Sequence, residues 1–527
     1  MKKVSGLVVP SIALFFIILL GLFLRSYNLN SLPIFADEAI YVRWSQVMKA
    51  EPTLRFLPLS DGKQPLFMWA MMPFLKLISD PLIAGRLLSI LSGMASLVGI
   101  YLLANLLLKS KKAAVIAALF YAISPYTLFF DRMALVDSML AMFGVWTLLL
   151  TIYSVKTRRF DFAMLAGFAL GGAFLTKSPA LFIAILIPFT VLFIELPKKG
   201  SEKIIHLIKV GFNWLTTLVI GYGMYNILRL GPNFHMLSQR NQDYIFPISH
   251  LWTNPKDPFL PFFDRAFEWI RIMGPNLILV LLLAGSLMLL KKHRRSAIFL
   301  LVWFLMPIMI QAEFARVFTA RYILMSIPPI FILSSGAIFI KGFVPKKLVM
   351  VFILAVMVLA LRNDYILITS PENANLPRSE RSGYLEEWTA GTGIKEVSEY
   401  IKAEHDREPD KQIIVGTEGY FGTLPDGLQI YLNNVPNVVV IGIGLDIGEV
   451  RDSLRESVAA GNKTYMVANS SRLKFDGDFE NYGLKVIEAY KKADRPEGIR
   501  EYVQHGVYDT FYLFEVTPKA LVVDQEI

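Results

Sequence analysis

The stretch LIAGRLLSILSGMASLVGIYLLANLLLKSKK, residues 82–112, decides the fold class. Its apolar part is long enough to cross a bilayer as a helix, and it ends on Lys109-Ser110-Lys111-Lys112, after which a second apolar run begins at 113–130. Two apolar runs joined by a short basic turn form a membrane hairpin with the turn inside, because Lys and Arg in short loops resist translocation. Further runs of spanning or near-spanning length lie at 136–154, 161–176, 179–195, 205–226, 275–290, 297–312, 321–340 and 347–367. Met1-Lys2-Lys3 is followed by another run to about Leu24 with no small-residue cleavage site after it, which reads as a retained helix. The sum predicts an α-helical polytopic membrane protein with about eleven transmembrane helices.

Every second connection is basic: Lys156-Thr157-Arg158-Arg159, Lys198-Lys199 with Lys203, Lys291-Lys292-His293-Arg294-Arg295, and Lys341 with Lys346-Lys347. These join the N-terminus in the cytoplasm, so 26–81, 131–135, 177–178, 227–274, 313–320 and everything after about 368 are predicted to be extracytoplasmic. The chain has 527 residues, 54% of them hydrophobic, too apolar for a soluble enzyme and too long for one domain. The net charge of +10 sits in clusters between apolar runs and not as a stripe on a soluble face, so it signals topology and gives no reason to expect nucleic acid. With no cysteine, disulfides and thiolate metal sites are excluded.

Two domains are expected. Residues 1–370 form the transmembrane part, with long outer loops at 26–81 and 227–274, and residues 376–527 form a small soluble extracytoplasmic α/β domain. In the latter, Gly393 to Ala403 and Glu449 to Ala460 read as helices, and Gln412 to Gly416, Asn437 to Ile443, Lys463 to Ala468, Lys485 to Tyr490 and Phe511 to Val516 as strands. From Ala39 to Lys49 an apolar face of Ile40, Trp44, Val47 and Met48 predicts a helix lying in the membrane interface.

Once the topology is drawn, ionisable residues converge on the outer ends of the spans. Asp37 and Glu38 lie in the first loop, followed by Gly62-Lys63-Gln64-Pro65-Leu66. Asp131-Arg132-Met133-Ala134-Leu135-Val136-Asp137 joins two spans, and Lys177 follows another. His235, Arg240, Asp243, His250 and Arg265 lie in the long fourth outer loop, and Arg316 and Arg321-Tyr322 in the fifth. Ionisable groups at the membrane boundary either snorkel to water or mark a substrate path. A short carboxylate such as Asp137 cannot snorkel. Both signs together suit sugar transfer from a lipid phosphate: cations stabilise the charge that develops on the leaving phosphate, and a carboxylate takes the proton of an incoming hydroxyl. Asp37 is the candidate base and Glu38 a supporting group. Asp37, Glu38, His235 and His250 could also gather a divalent cation, although their spacing matches no compact metal motif.

The order of motifs resembles the glycosyltransferase-C superfamily, particularly protein O-mannosyltransferases and the lipid A aminoarabinose transferase branch. The matching segments are Phe35-Ala36-Asp37-Glu38-Ala39-Ile40-Tyr41, Lys63-Gln64-Pro65-Leu66, Arg132-Met133-Ala134-Leu135-Val136-Asp137, Leu175-Thr176-Lys177-Ser178-Pro179 and Arg321-Tyr322. Together they cover roughly residues 1–370. The resemblance implies a polyprenyl-phosphate sugar donor, an extracytoplasmic active site and acceptor, Asp37 as base, and Lys63 and Arg240 as phosphate contacts. Arg132, Asp137, Lys177, Arg321 and Tyr322 complete the expected donor site. Gln64 departs from the Pro found at this place in aminoarabinose transferases. A transporter or flippase of lipid-linked sugars is the competing expectation, but transporters place their polar groups near the midplane, whereas these cluster at one face.

Overall fold

The computed structural model describes residues 2–198, 200–340 and 345–522, with side chains from residue 11. Lys2 and Lys3 lie outside the described side chains, and Met1, Lys199 and Lys341 outside the described residues. The chain divides into two units. The first comprises Met1–Leu29, Glu51–Ala70 and Arg86–Pro377, and the second Asn30–Ala50, Met71–Gly85 and Arg378–Ile527.

The first unit is helical. Among the described residues, Pro81–Leu108, Val136–Thr157, Gly200–Leu230, Arg294–Phe314 and Lys346–Thr369 are each long and apolar enough to cross a membrane. Three bent pairs bring this to as many as eight, and shorter apolar helices occupy Ser11–Ser26, Leu66–Leu77, Phe160–Thr176 and Ala180–Phe193. The protein is therefore a multi-pass membrane protein. Gly200–Tyr225 shows the expected surface, since Ile204, Ile208, Leu215 and Val219 are all more than half exposed, an arrangement that suits lipid and not water. The run at 113–130 is broken: Lys111–Ala122 and Pro125–Asp131 meet at 57°. Pro125 at the start of the second helix supplies no backbone N–H, so the ladder stops at Ser124. The run at 321–340 bends by 51° before Pro328-Pro329 for the same reason.

In the second unit, β1 (Ile34–Phe35) pairs antiparallel with β2 (Ala390–Gly391). A five-stranded sheet has the order β4 (Val438–Gly444), β3 (Ile413–Glu418), β5 (Lys463–Asn469), β7 (Thr510–Val516), β6 (Leu484–Lys491). β3 runs parallel to β4 and β5, which requires crossovers, and helices Asp426–Leu432 and Asp452–Ala459 provide them. Ile447, Leu454, Met466, Leu484 and Phe514 form the core beside the sheet. β6 is an edge strand whose exposed Lys485, Glu488 and Lys491 discourage pairing with another chain.

The helix expected to lie in the membrane interface spans Ala36–Ala50 and is packed on protein instead. Ala39, Ile40, Val42, Trp44 and Met48 are buried, and Gln46 Nε2 donates to the Ile430 carbonyl at 2.8 Å, fastening the helix to Asp426–Leu432. The apolar face that suggested lipid is the one that packs toward the first crossover helix, Asp426–Leu432.

Lys492 is 3% exposed and donates to the Glu387 carbonyl at 2.9 Å. Burial pulls its ammonium down to about 8 against the opposing pull of Asp509, Glu418 and Glu387. Free lysine titrates near ~10.4, so between the two values the folded state binds fewer protons than the unfolded one and stability rises with pH. We expect the thermal midpoint to rise from pH 7.5 to 9.5, and Lys492→Met to abolish that rise. Equal slopes in both proteins would remove Lys492 as its source.

Candidate active site

Asp37 and Glu38 are set by the β1 pairing. Ala36 N–H donates to the Thr389 carbonyl at 3.1 Å and the Phe35 ring lies 4.2 Å from that of Tyr384, so the chain enters the helix from a fixed extended segment. Glu38 is fully buried and accepts the Phe35 N–H at 3.0 Å, the returning half of a capping box. Its task in the structure is to hold the helix start. Asp37 is half-buried in the same first turn, where the helix macrodipole favours a carboxylate.

The first unit brings four of the expected donor-site residues together. Asp137, in the first turn of Val136–Thr157, is 3% exposed and lies 2.6 Å from Lys177 Nζ, while its second oxygen Oδ2 has no hydrogen-bond partner. Lys177 directly follows helix Phe160–Thr176 and points its ammonium at the Tyr322 ring, 4.3 Å from the centroid. The Arg321 guanidinium lies 5.6 Å from the same ring. A buried carboxylate is thus answered by a cation that crosses from another helix, and a second cation shares its aromatic wall.

Lys63 and Arg240 form a neighbouring group around Asp61, at 3.3 and 3.7 Å, and Arg240 also reaches Asp243 at 3.4 Å. Gln64 Nε2 donates to Ser178 Oγ at 2.8 Å, tying the residue after Lys63 to the residue after Lys177. The substitution of Gln for Pro therefore creates the amide that makes this tie. Gly62 has φ +63°, and a Cβ there would sit 2.4 Å from Arg240 Cβ and 2.8 Å from the Met236 carbonyl oxygen. Gly62→Ala is expected to push Arg240 away at a local cost of about 1–3 kcal/mol. On the transferase reading it would raise KM for the donor several-fold with kcat little changed; an unaltered KM would separate Arg240 from donor binding.

Arg132 is placed elsewhere. Its guanidinium is 1% exposed and donates to the carbonyls of Leu24, Arg25, Tyr27 and Asn28 at 2.6 to 3.2 Å. It caps the end of the helix Lys2–Ser26, so the expectation of a phosphate contact is corrected to that of a helix-terminus ligand. Sequence reasoning also missed the buried charges beside it. Arg25 donates to Asp131 at 2.9 Å with both side chains fully buried, Tyr121 Oη donates to the same Asp131 oxygen at 3.0 Å, and Arg86 and Asp364 are buried close by. The available signal was Arg25 at the end of the first apolar run and Arg86 within the next, costly placements unless paired.

His235 starts helix Met236–Tyr244, and His250 Nε2 is engaged by the Asp257 carbonyl at 2.8 Å with its ring stacked on Phe246. Among the described residues no group of three or more His, Cys, Asp or Glu is arranged to hold a metal ion.

Residues 62–220 match the family model for dolichyl-phosphate-mannose-protein mannosyltransferase. The fold is similar to that of ArnT from Cupriavidus metallidurans bound to undecaprenyl phosphate, with TM-score 0.54 and 15% identity, covering 95% of this chain and 97% of that one. ArnT from the same organism in the apo state gives TM-score 0.55 and 13% identity over 98% and 99% of the two chains. No curated protein matches the sequence. The resemblance to protein mannosyltransferases is found again at residues 62–220, within a fold similar to that of ArnT.

Proposed function

We propose, for a chain that shares the ArnT fold, that it is an integral membrane glycosyltransferase moving a sugar from a polyprenyl-phosphate-linked donor to a hydroxyl acceptor on the extracytoplasmic face. The observation that carries this reading is the linked pair of cation groups in the first unit: Lys177 and Arg321 around Tyr322 and Asp137, joined through Gln64 and Ser178 to Lys63 and Arg240. An ArnT bound to undecaprenyl phosphate supports the donor class. In the proposed step the acceptor oxygen attacks the anomeric carbon and its proton passes to the Asp37 carboxylate. The bond from that carbon to the phosphate oxygen breaks with its electron pair left on the phosphate. One displacement inverts the anomeric centre. Lys63, Lys177, Arg240 and Arg321 would stabilise the charge arriving on the leaving group, Arg as a bidentate fork and Lys as a point charge.

The accompanying topology has about eleven spans, with the N-terminus in the cytoplasm. Residues 1–370 would be the transferase domain and 376–527 an extracytoplasmic α/β domain. The test is to reconstitute the protein, supply a radiolabelled polyprenyl-phosphate sugar with envelope extracts as acceptor source, and follow release of free lipid phosphate. Turnover is expected. Absence of turnover together with movement of the labelled lipid across vesicles would replace the transferase with a flippase.

A further inference from the structure

The second unit carries an open cleft of about 570 Å³ between helix Ala36–Ala50, the start of Pro81–Leu108, helix Ile394–Arg407 and the end of Asp426–Leu432. That volume lies within the usual range of small-molecule sites, ~300–1,000 Å³. We propose that the cleft binds a neutral, hydroxyl-rich glycan segment of two or three sugar residues. The assignment of this segment as the acceptor end rests on the transferase reading; the binding itself does not.

The argument is one of donors and acceptors. Lys49, Lys395, Lys402 and Asn434 offer N–H groups, while Asp80 and Glu399 offer oxygens. Lys395 is held to Asp80 at 2.8 Å and Lys49 to the Leu75 carbonyl at 3.2 Å, so the walls are fixed by partners that leave further hydrogen-bonding capacity on each ammonium and carboxylate. Each class of ligand fails or fits on this set. An anion would satisfy the lysines and face Asp80 and Glu399 with like charge; a cation would do the reverse; an apolar ligand would strip water from the charged walls and return no hydrogen bond. A sugar hydroxyl both donates and accepts, and consecutive hydroxyls can use both signs of the wall in turn.

The test uses the full chain in nanodiscs with no donor present, titrated calorimetrically with maltotriose, cellotriose, chitotriose and inorganic phosphate. At least one trisaccharide is expected to bind with Kd of about 1 mM or tighter, corresponding to ~4 kcal/mol. Lys402→Met and Asn434→Leu, at positions on the rim, should each weaken it ten-fold or more with the thermal midpoint unchanged. No trisaccharide binding, binding of phosphate alone, or equal binding by both variants would overturn the proposal. A protein that binds the glycan but transfers no sugar would sink the transferase reading and leave the cleft standing, whereas one that transfers sugar and binds no trisaccharide would do the opposite.

Discussion

Asp37→Asn is expected to lower release of lipid phosphate by about a thousand-fold, within the ~10²–10⁴-fold contribution of a positioned general base. The substitution keeps the shape of the side chain and its place in the first turn of the helix Ala36–Ala50, and removes only the ability to take a proton. Donor affinity, measured by equilibrium binding of the labelled lipid, should change less than three-fold. Glu38 gives the internal comparison. Glu38→Gln keeps an oxygen for the Phe35 N–H and should retain activity within about ten-fold, while Glu38→Ala should lose about 1 kcal/mol of stability through the cap. Equal turnover by Asp37→Asn and the parent protein would remove Asp37 as the base. A larger loss in Glu38→Gln than in Asp37→Asn would exchange the two roles.

Asp131→Leu is expected to destabilise the protein by about 3–5 kcal/mol, because it leaves the Arg25 guanidinium buried without its carboxylate. The pair is deep in the first unit, and Gly93 leaves the room for it: a Cβ on that residue would lie 2.2 Å from Asp131 Oδ2. Arg25 also donates to the carbonyls of Tyr121 and Ala122, so its removal strands acceptors as well. Replacing both partners, Arg25→Met with Asp131→Leu, should recover only part of the loss: apolar groups of similar volume need no counter-charge, but the Tyr121 hydroxyl and the carbonyls of Tyr121 and Ala122 lose these partners. Thermal unfolding in detergent of the parent, the two single variants and the double variant completes the cycle. Single-variant losses below about 1 kcal/mol, the range of an exposed pair, would mean that water reaches the site.

Much of the membrane part was legible because an apolar run of sufficient length has few alternatives to a helix. The finer geometry was less so. The run at 113–130 looks continuous in hydropathy, yet Pro125 divides it, and Phe259–Met273 lay concealed in a loop because an amphipathic helix too short to span announces itself only by periodicity. The β1–β2 pair could not be read at all, since two residues carry no alternation and their partners are far apart in sequence. Within the site, Lys177 with Asp137 was recoverable from the expense of a short carboxylate at a helix start. Arg132 misled because a cation beside a membrane helix suits a phosphate and a row of helix-end carbonyls equally well, and only the position of residues 24–28 decides between them. Glu38 stood next to Asp37 in sequence, but its burial and its bond to Phe35 separate their tasks.

The second unit is assembled from three separated parts of the chain, and its first part carries both β1 and the helix Ala36–Ala50. During synthesis that helix leaves the ribosome about 380 residues before its packing partner Asp426–Leu432, a delay of roughly 20–75 s at ~5–20 residues/s. For that interval Ile40, Trp44 and Met48 have no cover from their own domain, so the nascent chain needs the bilayer surface or a chaperone as a temporary partner. A fragment beginning at Arg378 would enter the world lacking this helix altogether, and should be insoluble unless residues 30–50 are supplied alongside it.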